Sequence, residues 1–449
     1  MAKTDSGELT PETNSKRVQR EDTPPPLEDV SPLKRFLHHD LVGTGFLLGA
    51  AVLALIVANS PLGEQYHHLW ESHFGVSVGD WAFDKPLHLW VNDGLMAIFF
   101  FVVGLEIKRE LVAGELASLR KAILPAVAAI GGMVVPALVY AAINFGGDGM
   151  VGWGIPMATD IAFAAGCIAM LRKWVPPALM VFLVALAIVD DLGAVTVIAV
   201  FYTDHLDVPA LVVGAALITI SAALGLAGVR RTMPYVIIGI IVWFAFLRSG
   251  VHATIAGVLL AFTIPTDARY RSELFEDRVR ELLNRFRKAD EERRQALAHP
   301  EAAGKTRLLV SARQQDLIRA LNDECHHVEA PLQRIEHNLE PWTVFVVMPI
   351  FAFANAGLHL DWAHLGELAT EPVTMGVFFG LLIGKPLGIV GASYLAVKAG
   401  LASLPAGVNW KQVFGMSWLA AIGFTMSLFI ADLAFPASGP HREYLAEAK

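Results

Sequence analysis

Apolar residues in this chain come in long blocks rather than in periodic faces. Between Leu41 and Phe435 eleven stretches are nearly free of charge: Leu41–Asn59, Asn92–Leu105, Ala122–Ala142, Val151–Leu171, Pro176–Tyr202, Val208–Ala227, Tyr235–Phe246, Val251–Ile264, Trp342–Ala356, Val373–Val397 and Val413–Phe435. Most approach the ~20 residues that an α-helix needs to cross a bilayer. A helix on a soluble core keeps a polar face at its 3.6-residue repeat, and most of these stretches have none. The pattern predicts an all-α polytopic membrane protein with eleven spans and short polar connections. Two connections are longer. Within 60–89, "GVSVGDWAF" spaces Val76, Val78, Trp81 and Phe83 around Gly79-Asp80, which reads as a small β-hairpin. Such a hairpin is marginal alone in water, so it is expected to lean on the membrane domain or on a second subunit.

The other long connection, 267–341, is highly charged. In "SELFEDRVRELLNRF", Leu274, Phe275, Val279, Leu282, Leu283 and Phe286 share one broad helical face. The expected organisation is a disordered cytoplasmic tail (1–40), membrane helices one to eight (41–266), a charged helical cytoplasmic insert (267–341), helices nine to eleven (342–435) and a polar C-terminal segment (436–449).

Composition agrees. Only 17% of residues are charged, against about a quarter in soluble domains. The net charge of −8 comes with no basic stripe, so nucleic acid is not a partner. Cys167 and Cys325 fall in a span and in the charged insert, which argues against a disulfide framework and a zinc site. His326-His327 beside Cys325 fits no zinc spacing either. The charged, Pro-rich start has no apolar core before Leu41, unlike a cleaved signal peptide. Lys and Arg alternate along the connections: Lys108, Arg109, Arg120 and Lys121, then Arg172 and Lys173, then Arg230 and Arg231 mark one side. By the rule that basic loops stay inside, the N-terminus is cytoplasmic.

Charges inside the spans are few and expensive. Asp190 and Asp191 sit near the middle of one span, in "ALAIVDDLGA". Neighbours on a helix point about 100° apart, so at least one lines a polar cavity. Both cannot keep an uncompensated charge, and they titrate as a coupled pair. Carboxylates are also good ligands for a small hard cation, and a site that takes either a proton or a cation is built for exchange. Asp160, preceded by Thr159, follows Gly154 and Pro156 in "WGIPMATDIAFAAG". Proline there breaks the helix, and broken backbone at membrane depth is tolerated only in a cavity or buried in protein. An acid at that break neutralises exposed helix N-termini. "WLAAIGFTMSLFIADLAF" carries a second break, at Gly423, followed by Thr425 and Ser427. Lys385, between Gly384 and Pro386, is placed to balance exposed helix C-termini, Asp160 or the aspartate pair.

Three functions fit buried carboxylates. In secondary antiport, cation and protons compete for Asp190 and Asp191. An intramembrane aspartyl protease uses two aspartates as acid and base, but its Gly-x-Gly-Asp pattern is not found within these helices. A cation channel accounts for the acids but less well for the lysine and the broken helices.

Seven stretches, "NDGLMAIFFFVVGLEIKREL", "ATDIAFA", "ALAIVDDLGA", "SGVHATIAG", "FAFANAG", "GLLIGKPLGI" and "IGFTMSLFIA", resemble the NhaA type of bacterial sodium/proton antiporter, in family order from Leu41 to about Phe435. The resemblance implies an inverted-repeat bundle with two broken helices in the bacterial inner membrane. It implies Na⁺ or Li⁺ and protons as transported ions, with no cofactor. It implies cation binding and proton exchange at Asp190 and Asp191, Asp160 with Thr159 at the broken helix (Pro156, with Gly423 in the second), and charge balance from Lys385. Glu106, Glu110, Glu336, His337 and the segment of His252 are associated with pH response, and the periplasmic hairpin with a homodimer. "IEHNLEPW" places Glu340 where the family often has a second histidine, which bears on the pH profile. The family has a twelfth helix, which "HREYLAEAK" precedes rather than supplies; truncation is the expectation.

Overall fold

The computed structural model describes residues 32–449 apart from 79–80, 172, 204–205, 268–271, 299–314, 322–323, 325–328, 360–364 and 437–443. The readings made on the 1–31 tail, Gly79-Asp80, Arg172 and Cys325-His326-His327 therefore lie outside the described residues. Met1–His39 separates as one unit. It is described only at Pro32–His39, the start of α1 (Pro32–Ala58), so helix begins nine residues before the Leu41 read from hydropathy. Asp40–Lys449 is one compact unit.

In it follow α2 (Gly63–Glu71), strands β1 (His73–Val78) and β2 (Trp81–Pro86), α3 (Met96–Ala113), α4 (Leu119–Ile143) and a 3₁₀ segment (Asp148–Met157). Next come α5 (Ile161–Met170), α6 (Pro177–Phe201), α7 (Val208–Leu226), α8 (Thr232–Ser249), α9 (Ala253–Thr263) and α10 (Ser272–Ala298). The last part holds α11 (Pro331–Trp342), α12 (Met348–Asn355), α13 (Pro372–Phe379), α14 (Lys385–Lys398), α15 (Trp410–Ala420), α16 (Phe424–Ala434) and α17 (Tyr444–Ala448). The strands pair antiparallel from His73↔Pro86 to Val78↔Trp81, the hairpin anticipated from valine and aromatic spacing.

Among the described residues five helices are long and apolar enough to cross a membrane, and three bent pairs bring the number to eight by length and composition. The first of those pairs turns by 113°, too sharply for one straight crossing. The other apolar stretches fall short for local reasons. The last turns of α3 carry Glu106, Lys108, Arg109 and Glu110, α9 has 11 residues, and a π turn at Thr343–Val347 divides α11 from α12. That turn is continuous helix on both sides, so the helix entering the ninth stretch starts at Pro331, inside the segment read as insert. Another π turn, Gly380–Gly384, lies directly before Lys385.

The helices sort into two groups by their packing. In one, α3 lies along α9, and α8 along α7. In the other, α4 lies along α14 and packs on α6 and the 3₁₀ segment. The α4–α14 contact is backbone on backbone. A Cβ at Gly131 would fall 2.3 Å from the Gly388 carbonyl oxygen, and one at Gly388 would fall 2.1 Å from that of Gly131. Glycine is required at both positions by this approach. The groups meet at a buried aromatic seam, where Phe429 of α16 lies 5.6 Å from Phe100 of α3 and 6.1 Å from Phe351 of α12, between ring centres.

Candidate functional site

Two spans are interrupted at the same place in the fold. The 3₁₀ segment meets α5 at an angle of 42°, and α15 meets α16 at 48°. The breaks lie against each other and are tied through backbone, with the Asp160 N–H donating to the Ile422 carbonyl at 2.8 Å and the Thr159 hydroxyl donating to the Ala420 carbonyl at 2.8 Å.

Each break leaves helix-end groups without intrahelical partners, and side chains supply them. Asp160 is the N-cap of α5, and its Oδ1 accepts from the Phe163 N–H at 3.0 Å. Its Oδ2 accepts from the Thr425 N–H at 3.2 Å and from the Thr425 hydroxyl at 2.5 Å. One carboxylate thus serves the positive ends of two half-helices. Ser427 donates to the Ile155 carbonyl at 3.1 Å. Lys385 serves the opposite polarity: its ammonium donates to the Met157 carbonyl, at the C-terminal end of the 3₁₀ segment.

Lys385 also settles a choice left open by the sequence. Its Nζ lies 2.7 Å from Asp190 Oδ2, with both side chains fully buried. Among the described residues, Asp190 Oδ1 and both carboxylate oxygens of Asp191 are buried without a hydrogen-bond partner. An ionised carboxylate without a donor costs several kcal/mol when buried, and the cost falls away when a proton or a cation binds its oxygens. Three carboxylate oxygens without donors thus lie buried on adjacent residues of α6, beside a lysine already engaged, and carboxylate oxygens are good ligands for a small hard cation.

The residues grouped for pH response do not gather in one place. Glu106, Glu110 and Glu336 surround Arg109, at 3.9, 3.8 and 3.4 Å, and His337 is exposed beside them. His252 stands apart. It precedes α9, whose far end is held at Lys108, and that ammonium donates to the Phe262 carbonyl at 2.7 Å and the Ile264 carbonyl at 2.5 Å. The length of α9 puts His252 about 16 Å from that end. There its Nε2 lies 2.6 Å from the Tyr202 carbonyl.

A further polar cluster escaped the sequence reading. Asn355 donates to Asn92 Oδ1 at 2.9 Å, and Asn92 donates to Asp432 Oδ2 at 3.3 Å. Asp432 Oδ1 is 2.7 Å from Lys449 Nζ. Asn92, Asn355 and Asp432 lie near the ends of apolar stretches, where a polar residue ordinarily faces water, and Lys449 lies in the polar C-terminal segment, so no pattern marked them.

The family model described as Na+/H+ antiporter 1 matches residues 34–449. The chain is 48% identical over 433 residues to the Na(+)/H(+) antiporter NhaA 1 of Saccharophagus degradans, covering 95% of this chain and 91% of that one. It is 48% identical over 420 residues to the Na(+)/H(+) antiporter NhaA of Oleidesulfovibrio alaskensis, covering 92% and 89%. Against the NhaA of Wolinella succinogenes it is 46% identical over 403 residues, covering 90% and 86%.

Proposed function

The chain belongs to the Na⁺/H⁺ antiporter family, and from that premise we propose that Asp190 and Asp191 are where Na⁺ (or Li⁺) and protons displace one another. The protein is a multi-pass membrane antiporter, a transporter rather than an enzyme. The observation that carries the site is the set of three buried carboxylate oxygens without donors beside the engaged Lys385. A cation entering this site displaces protons from the pair, and a proton returning displaces the cation. If both carboxylates give up a proton for one Na⁺, each cycle moves net charge, and the membrane potential drives Na⁺ out of the cell. Asp160 with Thr159, and Thr425 across from them, hold the two breaks in register about this site.

In this reading the protein lies in the bacterial inner membrane with its N-terminus and the 267–341 insert in the cytoplasm. The β1–β2 hairpin is periplasmic and joins two copies in a homodimer. The reading is tested in inside-out vesicles from cells lacking other antiporters. With an acid interior, added Na⁺ should release luminal protons and dequench a pH-sensitive dye. Collapse of the membrane potential should change the rate if exchange moves charge. Absence of Na⁺-dependent dequenching from inserted protein would overturn the reading.

The Arg109 cluster, on the cytoplasmic side in this orientation, is assigned to pH response. Glu336 stands in α11, ahead of the apolar stretch that opens at Trp342. Burial raises its carboxyl above the ordinary glutamate range; Arg109 pulls it down, Glu340 and Glu110 push it up and His337 pulls it down. A raised carboxyl stays neutral to higher pH and ionises as pH climbs. Its charge, and its pull on Arg109, therefore arrive on alkalinisation. In Glu336→Gln that charge never arrives, so the onset of exchange should move to higher pH in the dye assay. An unchanged pH profile would remove Glu336 from the response.

A further inference from the structure

The segment that presents the Met157 carbonyl to Lys385 is weakly built. Its ten residues are 3₁₀ helix, a form whose hydrogen bonds are poorly aligned and whose runs are ordinarily short. Besides the Ser427 hydroxyl on the Ile155 carbonyl and the Tyr140 hydroxyl on the Gly149 carbonyl, it is held by a side chain that follows the helix bearing the aspartate pair. Tyr202, the residue after α6, is 7% exposed. Its hydroxyl donates to the Val151 carbonyl at 2.9 Å and accepts from the Gly154 N–H at 3.3 Å. Its own carbonyl is held 2.6 Å from His252 Nε2. Gly154 leaves room for the ring: a Cβ there would stand 2.8 Å from the Tyr202 hydroxyl and 3.3 Å from Cε2. Tyr202 thus spans three parts of the molecule, α6, the 3₁₀ segment and the start of α9.

We propose that Tyr202 is a positioning residue for cation exchange. Its hydroxyl fixes the 3₁₀ segment against α6, so that Lys385 divides its ammonium between the Met157 carbonyl and Asp190. With the tether cut, the segment draws back and the carbonyl releases the ammonium. Lys385 then commits wholly to Asp190, and an incoming cation competes with an undivided positive charge for that carboxylate. The effect falls on apparent affinity for Na⁺ rather than on turnover. The inference rests on the reading of Asp190 as a cation ligand.

The test compares wild type, Tyr202→Phe, Gly154→Ala and the double variant, reconstituted in proteoliposomes, for Na⁺-dependent proton movement. Binding of radioactive Na⁺ to the purified proteins is measured alongside, because it does not depend on turnover. Tyr202→Phe should raise KM for Na⁺ about three- to tenfold, as expected for one lost buried hydrogen-bonding group, with maximal rate within about twofold. Gly154→Ala should do the same, because its methyl group displaces the hydroxyl. The double variant should be no worse than the worse single one, since both changes remove one contact. A merely structural role would lower folded yield and maximal rate and leave KM and Na⁺ binding unmoved, which overturns the proposal, as do single effects that multiply in the double variant. Failure of the site reading itself would appear differently, as wild-type protein with neither Na⁺ binding nor Na⁺-coupled proton movement.

Discussion

Asp191→Asn should abolish Na⁺-coupled proton movement in a protein that folds as well as wild type or better. Removing one charged partner of a desolvated ion costs binding about 2–5 kcal/mol, and at 1.4 kcal/mol per decade the exchange rate at fixed Na⁺ should fall by roughly thirtyfold to several thousandfold. Among the described residues the side chain of Asp191 has no hydrogen-bond partner, so its replacement breaks no such contact. Replacing it removes repulsion from Asp190 and leaves the fold no poorer. Asp190→Asn should abolish exchange equally, yet lower the thermal midpoint, because the buried ammonium of Lys385 loses the carboxylate 2.7 Å away. Dye dequenching and thermal unfolding in detergent, run on both variants, separate these outcomes. Exchange in Asp191→Asn within tenfold of wild type would remove that residue from the site.

Asp160→Ala should be the most destabilising substitution in the region and should also stop transport. It strips the acceptor from the Phe163 and Thr425 N–H groups and from the Thr425 hydroxyl. Each buried donor left unsatisfied costs roughly 1–3 kcal/mol. It also removes the negative charge facing two helix N-termini. Asp160→Asn retains one carbonyl oxygen and should fall between alanine and wild type in thermal midpoint. A thermal midpoint for Asp160→Ala equal to that of wild type would show that the breaks are held without the Asp160 carboxylate.

How far the site can be read without coordinates depends on whether a group has an unusual neighbourhood in the chain. Asp160, Asp190, Asp191 and Lys385 are conspicuous because charge is rare in apolar blocks. The places of Asp160 and Lys385 at helix ends follow from the Pro156 and Gly423 breaks. The partner of Lys385 does not follow. Asp160 and the aspartate pair both offered it a negative charge, and the choice is made by the fold, which brings Lys385, at the start of α14, to Asp190 of α6. The Met157 carbonyl leaves no trace either, because every residue has a carbonyl and only the fold frees this one. Tyr202 and Asn92 read as ordinary residues at the ends of spans. Helix limits were legible where hydropathy changes sharply, as at Pro177, and hidden where polar helix runs on into apolar helix, as at Pro32 and Pro331. The Arg109 cluster was half visible. Glu106 and Glu110 lie on its own helix, three residues before it and one after, whereas Glu336 arrives from α11.

The contact between Gly131 and Gly388 also bears on how such a molecule moves. Helices separated by long side chains can slip as those side chains change rotamer. Here the main chains touch, and no layer is left to shear. The α4–α14 pair must therefore travel as a single strut. Lys385 is mounted on this strut, one turn from the weld at Gly388. Its ammonium therefore moves with α4 as well as with its own helix.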